Sequence, residues 1–306
     1  FCHEVSVSKR ELLKQKARKF PRTPLISIIT PLYNTPAQSL KELLDSVEMQ
    51  TYENWELCAV NFSDAAFDSV DQLCKQYAEK DVRIKYYTEK KNYGISENTN
   101  TCILHSTGDF IALLDHDDVL HPSALYEVVS ALNRTGGDFF YTDEIKFEKD
   151  LNNLFLPNFK PDFSADELRA HNYICHFNVF SRKLFDMTGG YRKEFDGSQD
   201  HDMVLRLTEK AKKIVHIPQI LYYWRVHSNS VAQSIEAKSY ATDAGANAVT
   251  EQLRRLGDDK QYAESVQNHI PIYRIFSKEN IREELTVAIW DVKNLDGAVK
   301  TRDSIV

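Results

Sequence analysis

The sequence predicts an α/β protein built on a doubly wound, mainly parallel sheet. Short apolar runs alternate with segments of helical period from residue 25 to residue 142. The runs are apolar throughout rather than at every second position, as in strands covered on both faces. Most leave abruptly into a polar cluster, and in open α/β sheets ligands sit beyond the carboxyl ends of the strands.

Leu25 to Thr30 is the first run, entered through Pro24 and left through Pro31. Leu40, Leu43, Leu44 and Val47 follow at helical spacing and Trp55 to Val60 is the next run, which makes a βαβ unit. Val70, Leu73, Cys74 and Tyr77 mark a second helix, Val82, Ile84 and Tyr86 alternate as a third strand, and Thr99 to His105 is helical. Phe110 to Leu114 is the most apolar strand and stops at Asp115. Leu125, Val128, Val129 and Leu132 define a helix closed by Gly136 and Gly137, before a strand from Phe139 to Thr142. The second half is less regular. Strands are expected at Asn172 to Phe180, Ile214 to Ile217 and Leu221 to His227, with a helix at Asp202 to Lys210. A long helix from Glu236 to Leu256 would turn Tyr240, Ala244, Val249 and Leu253 inward.

With 306 residues, 42% hydrophobic and 27% charged, the chain has the composition of a globular protein. The formal net charge of −7 argues against a broad grip on nucleic acid. Lys9, Arg10, Lys14, Lys16, Arg18, Lys19 and Arg22 are a local exception, either a solvated leader helix or a contact for a membrane surface or partner protein. Five cysteines (Cys2, Cys58, Cys74, Cys102, Cys175) lack metal-ligand spacing and fit free thiols in a reducing compartment, which points to the cytoplasm, with the inner face of the membrane within reach. No apolar run reaches the ~20 residues of a membrane span. The start at Phe1 points to a fragment of something longer.

Asp115, His116, Asp117 and Asp118 put three carboxylates into one loop after a buried strand. Like charges that close oppose one another unless a cation offsets them, and hard oxygen ligands suit Mg²⁺ or Mn²⁺ shared with substrate phosphates. A helix cap would explain one Asp of the three. The stretch Leu113 to Asp118, Leu-Leu-Asp-His-Asp-Asp, resembles the Asp-x-Asp signature of bacterial family 2 glycosyltransferases, which are inverting enzymes with the GT-A fold. Ser27 to Asn34 is similar to that family's first strand and nucleotide-binding turn, and Asn92 to Asn100 to its Asn-x-Gly segment.

The resemblance runs from about Leu25 to Ala232 and implies a Rossmann-like, mixed, mainly parallel sheet flanked by helices, with a helical C-terminal extension. It divides the chain into a basic extension (1–24), a catalytic domain with a nucleotide-sugar-binding half (25–118) and an acceptor-binding half (119–232), and a C-terminal helix and tail (233–306). That tail, with an apolar stretch at Leu285 to Asn294, is either the start of a further domain or an extra strand or packing arm. A nucleotide-diphosphate sugar, a UDP-sugar first, would be the donor, and a glycan, glycolipid or glycoprotein hydroxyl the acceptor. By the same resemblance Asp115 and His116 would meet the donor's ribose or sugar, Asp117 the Mn²⁺ or Mg²⁺ ion, and Pro31, Tyr33 and Asn34 the nucleoside. Asn92 and Gly94 would shape the loop beside the diphosphate.

Asn61 to Asp64 departs from the family's Asp-Asp-Gly-Ser, so Asn61 and Ser63 would meet the base without charge. Asp200 would be the catalytic base, with Asp202 the competing choice and a helix cap the structural alternative. His227 would complete the metal site. Arg225 would either neutralise the leaving group or pair with an acidic neighbour. His176, Gly190 and Tyr191 match segments flanking the acceptor groove, although a strand His is more often a satisfied interior group. Two other readings remain. A non-catalytic sugar-nucleotide or glycan binding module is compatible with the altered Asn61 to Asp64 segment. A sugar nucleotidyltransferase would need a Gly-rich, basic phosphate loop after the first strand, which Pro31 to Pro36 lacks.

Overall fold

A computed structural model describes residues 7–226, 235–267 and 270–278, with the backbone alone for 235–238. The chain divides into two compact units, Phe1–Phe276 and Ser277–Val306, and the elements below belong to the first apart from the last strand's final residue. His227, Cys2 and the apolar stretch at Leu285 to Asn294 lie outside the described residues.

The elements run α1 (Lys9–Ala17), β1 (Ile26–Leu32), α2 (Ala37–Glu48), β2 (Trp55–Asn61), α3 (Asp68–Lys80), β3 (Ile84–Thr88), α4 (Ile95–Leu104), β4 (Phe110–Leu113), β5 (Val119–Leu120) and α5 (Ala124–Thr135). They continue with β6 (Phe139–Phe147), β7 (Leu154–Asn158), α6 (Ala165–Ala170), β8 (Asn178–Ser181), α7 (Arg182–Thr188), α8 (Gln199–Lys210), β9 (Ile214–Arg225), α9 (Ile235–Arg255), β10 (Gln261–Ser265) and β11 (Tyr273–Ser277). One sheet has the order β3-β2-β1-β4-β8-β6-β9-β5, with β7 on β6. The strands β3, β2, β1 and β4 are parallel, β8 runs antiparallel to β4 and β6, and β6 and β9 are parallel again.

Both faces of the sheet are covered. Ile26, Ile28, Leu57 and Ala59 pack into one apolar layer with Leu40, Leu43 and Val70, while Ile29, Cys58 and Val60 face a second with Cys102, Ile103 and Leu205. This is why the first strands read as unbroken apolar runs. Pro31 lies inside β1 rather than after it. It is tolerated because β4 pairs no further than Ile29, so the missing N–H falls where that ladder has ended. Gly136 ends α5 as expected, at φ 70°.

The expectations that fail are mostly in the second half. Asn172 to Phe180 is a strand only from Asn178, and the run Ile214 to Ile217 is joined to residues 221–225 of the next run in the single strand β9, Ile214–Arg225. Pro218 splits the pattern. It sits at a register shift, Thr142 opposing Ile217 and Asp143 opposing Ile220, where a strand accommodates proline. β6 continues past Thr142 to Phe147 because Asp143 and Glu144 are buried with partners. Val82 lies before β3 and is 89% exposed, and Tyr240 is exposed on α9, whereas Ala244, Val249 and Leu253 are buried as expected. α4 and α8 begin earlier than the apolar spacing indicates, at Ile95 and Gln199, and both extra turns carry site residues.

Candidate active site

The exits of β1, β2 and β4 converge. Asn34 adopts the left-handed conformation at φ 50°, which asparagine tolerates. Its N–H donates to Ser63 Oγ (2.8 Å), its Nδ2 donates to Asp64 (2.8 Å) and its Oδ1 accepts from the Asp64 N–H (2.9 Å). The Asn61 amide braces the same loop, accepting from the Ser63 N–H (2.9 Å) and donating to the Tyr86 hydroxyl (3.0 Å), which donates to Asp71. Thr35 Oγ1 lies 2.8 Å from His116 Nδ1 and ties β1 to the acidic loop. Tyr33 remains 40% exposed, its hydroxyl 3.4 Å from Asp64.

Across from these lies the start of α4. Asn92 Oδ1 accepts from the Gly94 N–H and from Asn98 Nδ2, both at 2.9 Å. Gly94 has φ 100°, a conformation that favours glycine, and an added Cβ would come within 2.8 Å of the Asp196 carboxylate, which would have to move aside. The resulting cleft, about 280 Å³, is lined by Pro31, Tyr33, Asn92, Gly94, Ile95, Asn98, Asp115, His116 and Asp117. It is at the small end for ligand pockets, so a nucleotide-sized ligand would reach beyond it.

The three carboxylates after β4 are not equivalent. Asp118 is buried and accepts from the Tyr222 hydroxyl and the Arg225 N–H, both at 2.6 Å; burial and then the Asp115 charge push its carboxyl well above the usual range. Asp115 keeps 57% of its side chain exposed, and its Oδ2 lies 3.4 Å from His176 Nε2. Crowding by protein opposes its charge, but His176 and His116 outweigh that and hold it below the usual range. Asp117 stands at the edge of the cleft, its carbonyl accepting from Arg225 Nε (2.7 Å). Arg225 also pairs with Glu42, so of the two expected alternatives the structure has the acidic neighbour.

His176 is nearly buried between Asp115 and Glu144 (Nδ1 to Oε2, 3.3 Å) and stacks on Tyr222 at 4.8 Å. Glu144 is in turn paired with buried Lys160 (3.1 Å). Burial alone would keep His176 neutral, but the Cys175 sulfur, Asp115 and Glu144 together hold its pKa well above the ordinary value. Glu144 and Lys160 are a support that the sequence reading missed. Their signal was the adjacent acids Asp143 and Glu144 in the middle of a strand that begins and ends in aromatic residues.

Asp200 and Asp202 share the first turn of α8 but differ in every partner. Asp202 is fully buried between Arg192 (2.5 Å) and Arg206 (2.7 Å). Burial opposes its charge and the two guanidinium groups more than offset this, leaving the carboxyl below its usual range. Asp200 is half-buried and accepts from Gln199 Nε2 (2.9 Å). Burial and then the Asp115 charge raise its pKa to about 6, where a carboxylate is both ionised at neutral pH and basic enough to accept a proton. Asp200 is thus the poised group and Asp202 the brace.

Of the expected acceptor-side residues, Gly190 packs against the Asn100 side chain and its carbonyl accepts from Arg206 (2.9 Å). Tyr191 is buried, and burial first, then the Asp200 and Asp115 charges, hold its hydroxyl's pKa well above the ordinary value. Asp115, Asp118 and His176 offer ligand atoms within 4.8 Å of one another. Both Asp118 oxygens and both His176 nitrogens already meet protein groups, whereas Asp115 and Asp117 line the mouth of the cleft, where hard oxygen ligands suit a divalent ion shared with a ligand's phosphates. Among the described residues no helix is long and apolar enough to cross a membrane.

Comparison with known proteins gives the family and the fold. The model of glycosyl transferase family 2 matches residues 27–188. The O-antigen biosynthesis protein RfbC of Myxococcus xanthus is 34% identical over 249 residues, covering 81% of this chain and 19% of its own length, so the chain spans about a fifth of that relative. Among solved structures, S. aureus TarS 1-349 in complex with UDP-GlcNAc matches with a TM-score of 0.58 at 17% identity, covering 75% of this chain and 72% of that one. The mannosyltransferase PcManGT from Pyrobaculum calidifontis, in complex with GDP-Man and Mn²⁺, matches with a TM-score of 0.57 at 18% identity over 78% and 70% of the two chains. The fold is of the GT-A type that these structures share.

Proposed function

The chain belongs to glycosyl transferase family 2, and from that premise we propose that it is an inverting, divalent-cation-dependent enzyme moving a sugar from a nucleotide diphosphate, UDP first, to a hydroxyl of a glycan, glycolipid or glycoprotein. The relatives' names support polysaccharide assembly as the setting. The observation that carries the reading is the juxtaposition of the Asp115–Asp118 loop at the donor cleft with Asp200, whose pKa the Asp115 charge helps to raise.

In this mechanism the Tyr33 ring stacks on the base, and Asp115 accepts from hydroxyls of the ribose or sugar. A Mn²⁺ or Mg²⁺ ion held by Asp117 with the substrate phosphates would offset charge on the leaving diphosphate. Asp200 takes the proton of the acceptor hydroxyl as its oxygen bonds to the anomeric carbon. The bond from that carbon to the diphosphate oxygen breaks on the opposite face, giving inversion. Asp202, held by two arginines, fixes the turn on which Asp200 sits.

The test is a panel of UDP-, GDP- and dTDP-sugars with Mn²⁺ or Mg²⁺, scored by released nucleotide. We expect release from one donor, abolished by EDTA and by Asp117→Ala. Silence from every donor, with no metal-dependent thermal shift on adding nucleotide, would favour a binding module instead.

A further inference from the structure

Lys160, Glu144, His176 and Asp115 form a chain of basic and acidic side chains in alternation that runs from the interior to the cleft. Lys160 Nζ lies 3.1 Å from Glu144 Oε2, the same oxygen lies 3.3 Å from His176 Nδ1, and His176 Nε2 lies 3.4 Å from Asp115 Oδ2. Side-chain exposure rises along the chain, from 0% at Lys160 through 3% at Glu144 and 12% at His176 to 57% at Asp115. Of these residues it is Asp115 that lines the cleft.

His176 is fixed from several sides. Lys160 Nζ donates to its backbone carbonyl as well as to Glu144, and the other Glu144 oxygen accepts from Asn158 Nδ2 (3.2 Å). The His176 ring lies flat on Tyr222, with centroids 4.8 Å apart and planes at 11°, and the Tyr222 hydroxyl accepts from the Asp115 N–H (3.3 Å). Asp115 is thus gripped at its backbone by Tyr222 and at its carboxylate by His176. Lys160 and Glu144 balance each other's charge without a member at the cleft, so burial of that pair does not account for the last link. An exposed carboxylate would otherwise sample several rotamers, and holding one of them beforehand removes an ordering cost from ligand binding.

We infer that His176 is a positioning residue: backed by Glu144 and Lys160, it holds the Asp115 carboxylate in the orientation that accepts from a donor hydroxyl. This rests on the reaction proposed above and moves His176 from the acceptor groove to the donor side, where it acts through Asp115 rather than on the substrate.

The experiment is a double-mutant cycle on the full chain with Mn²⁺ or Mg²⁺ and the donor that wild type turns over. His176→Asn keeps an amide where Nδ1 meets Glu144 but falls short of Asp115, whereas the longer side chain of His176→Gln reaches it. We expect kcat/KM to fall about 10- to 100-fold in His176→Asn, to recover most of that loss in His176→Gln, and to change by less than about twofold when His176→Asn is added to Asp115→Asn. Wild-type activity in His176→Asn, no recovery in His176→Gln, or the same fold-loss in the Asp115→Asn background would each overturn the assignment. If His176→Asn does not fold, the ring nitrogen NMR signals of His176, identified by their loss in His176→Gln, decide: donor binding should shift them in wild type and not in Asp115→Asn. Signals unmoved in wild type, or moved equally in both proteins, would overturn the role. Failure of the underlying reading has a different signature: wild type itself would turn over no donor.

Discussion

The two halves of the sheet hold their site residues by different means. In the first half Asn34, Asn61, Ser63 and Asp64 lie at the ends of parallel neighbours and are fixed by neutral or singly charged hydrogen bonds near the surface. Its buried charge, Glu56 with Lys85, sits at the start of β2, away from the cleft. In the second half the supports are interior charges: Asp202 with Arg192 and Arg206, and His176 with Glu144 and Lys160. A ledge at strand ends can be altered with little cost to folding, whereas in the proposed mechanism Asp200 sits on a turn mounted on buried ion pairs, which would tie its role to stability.

That contrast can be broken first at the cleft. Asp117→Ala should cut metal-dependent kcat/KM by about 10⁴-fold while leaving the melting temperature nearly unchanged, since lost charge stabilisation of the leaving group is worth several kcal/mol. A parallel fall in melting temperature would show that the donor ledge is structural after all. Asp200→Asn should lower kcat by about 10³-fold with donor binding retained. Equal loss of donor affinity would move Asp200 out of the base role.

The next effect is on stability. Asp202→Asn should cost about 3–5 kcal/mol in denaturant unfolding, because the buried Arg206 guanidinium loses its counter-charge and Arg192 is left with Glu251 alone. Its pH dependence has a fixed sign. Asp202 is held below its unfolded value, so its contribution is present at neutral pH and is lost as pH falls through and below the ordinary carboxylate range. Wild type should therefore lose more stability than the variant between neutral and strongly acid pH. Activity titrates separately: with Asp200 raised to about 6, kcat/KM should climb with pH through that value and then level, and the climb should vanish in Asp200→Asn.

The smallest expected effect is Asn61→Asp, which restores the family's acid. The Asn61 amide donates to Tyr86, whose own proton goes to Asp71, so a carboxylate would face a lone pair. We expect a loss of about 1 kcal/mol and a change in nucleobase preference of less than about tenfold. A gain in stability would mean that the Tyr86 hydroxyl turns to the new acid.

Much of the donor half was legible because its elements are local and periodic. β1, β2, β4 and the helices α2, α3 and α5 follow from unbroken apolar runs and 3.6-residue spacing, and the convergence of Tyr33, Asn34 and Asp115 to Asp118 follows from parallel strand exits. The first turn of α4 was missed because Asn92, Gly94 and Ser96 show no apolar period; its start depends on Asp196, about 100 residues away, which accepts from the Ser96 N–H. The acceptor half resisted for the same reason at larger scale. β9 spans a proline and β6 carries two acids, and each is a strand because of the partner across the ladder.

The sequence by itself determined the α/β class, the acidic loop after a buried strand and the pair of aspartates heading α8, since these depend on neighbours in the chain. Tertiary structure decided which of the two aspartates is held by buried ion pairs, what holds His176 and Arg225, and that the buried Tyr191 hydroxyl has no partner among the described residues. The reason is physical. A carboxylate's pKa and availability are set by charges and burial within a few ångströms in space, and residues that close in space are here as far as 183 positions apart in sequence, as Glu42 and Arg225 are.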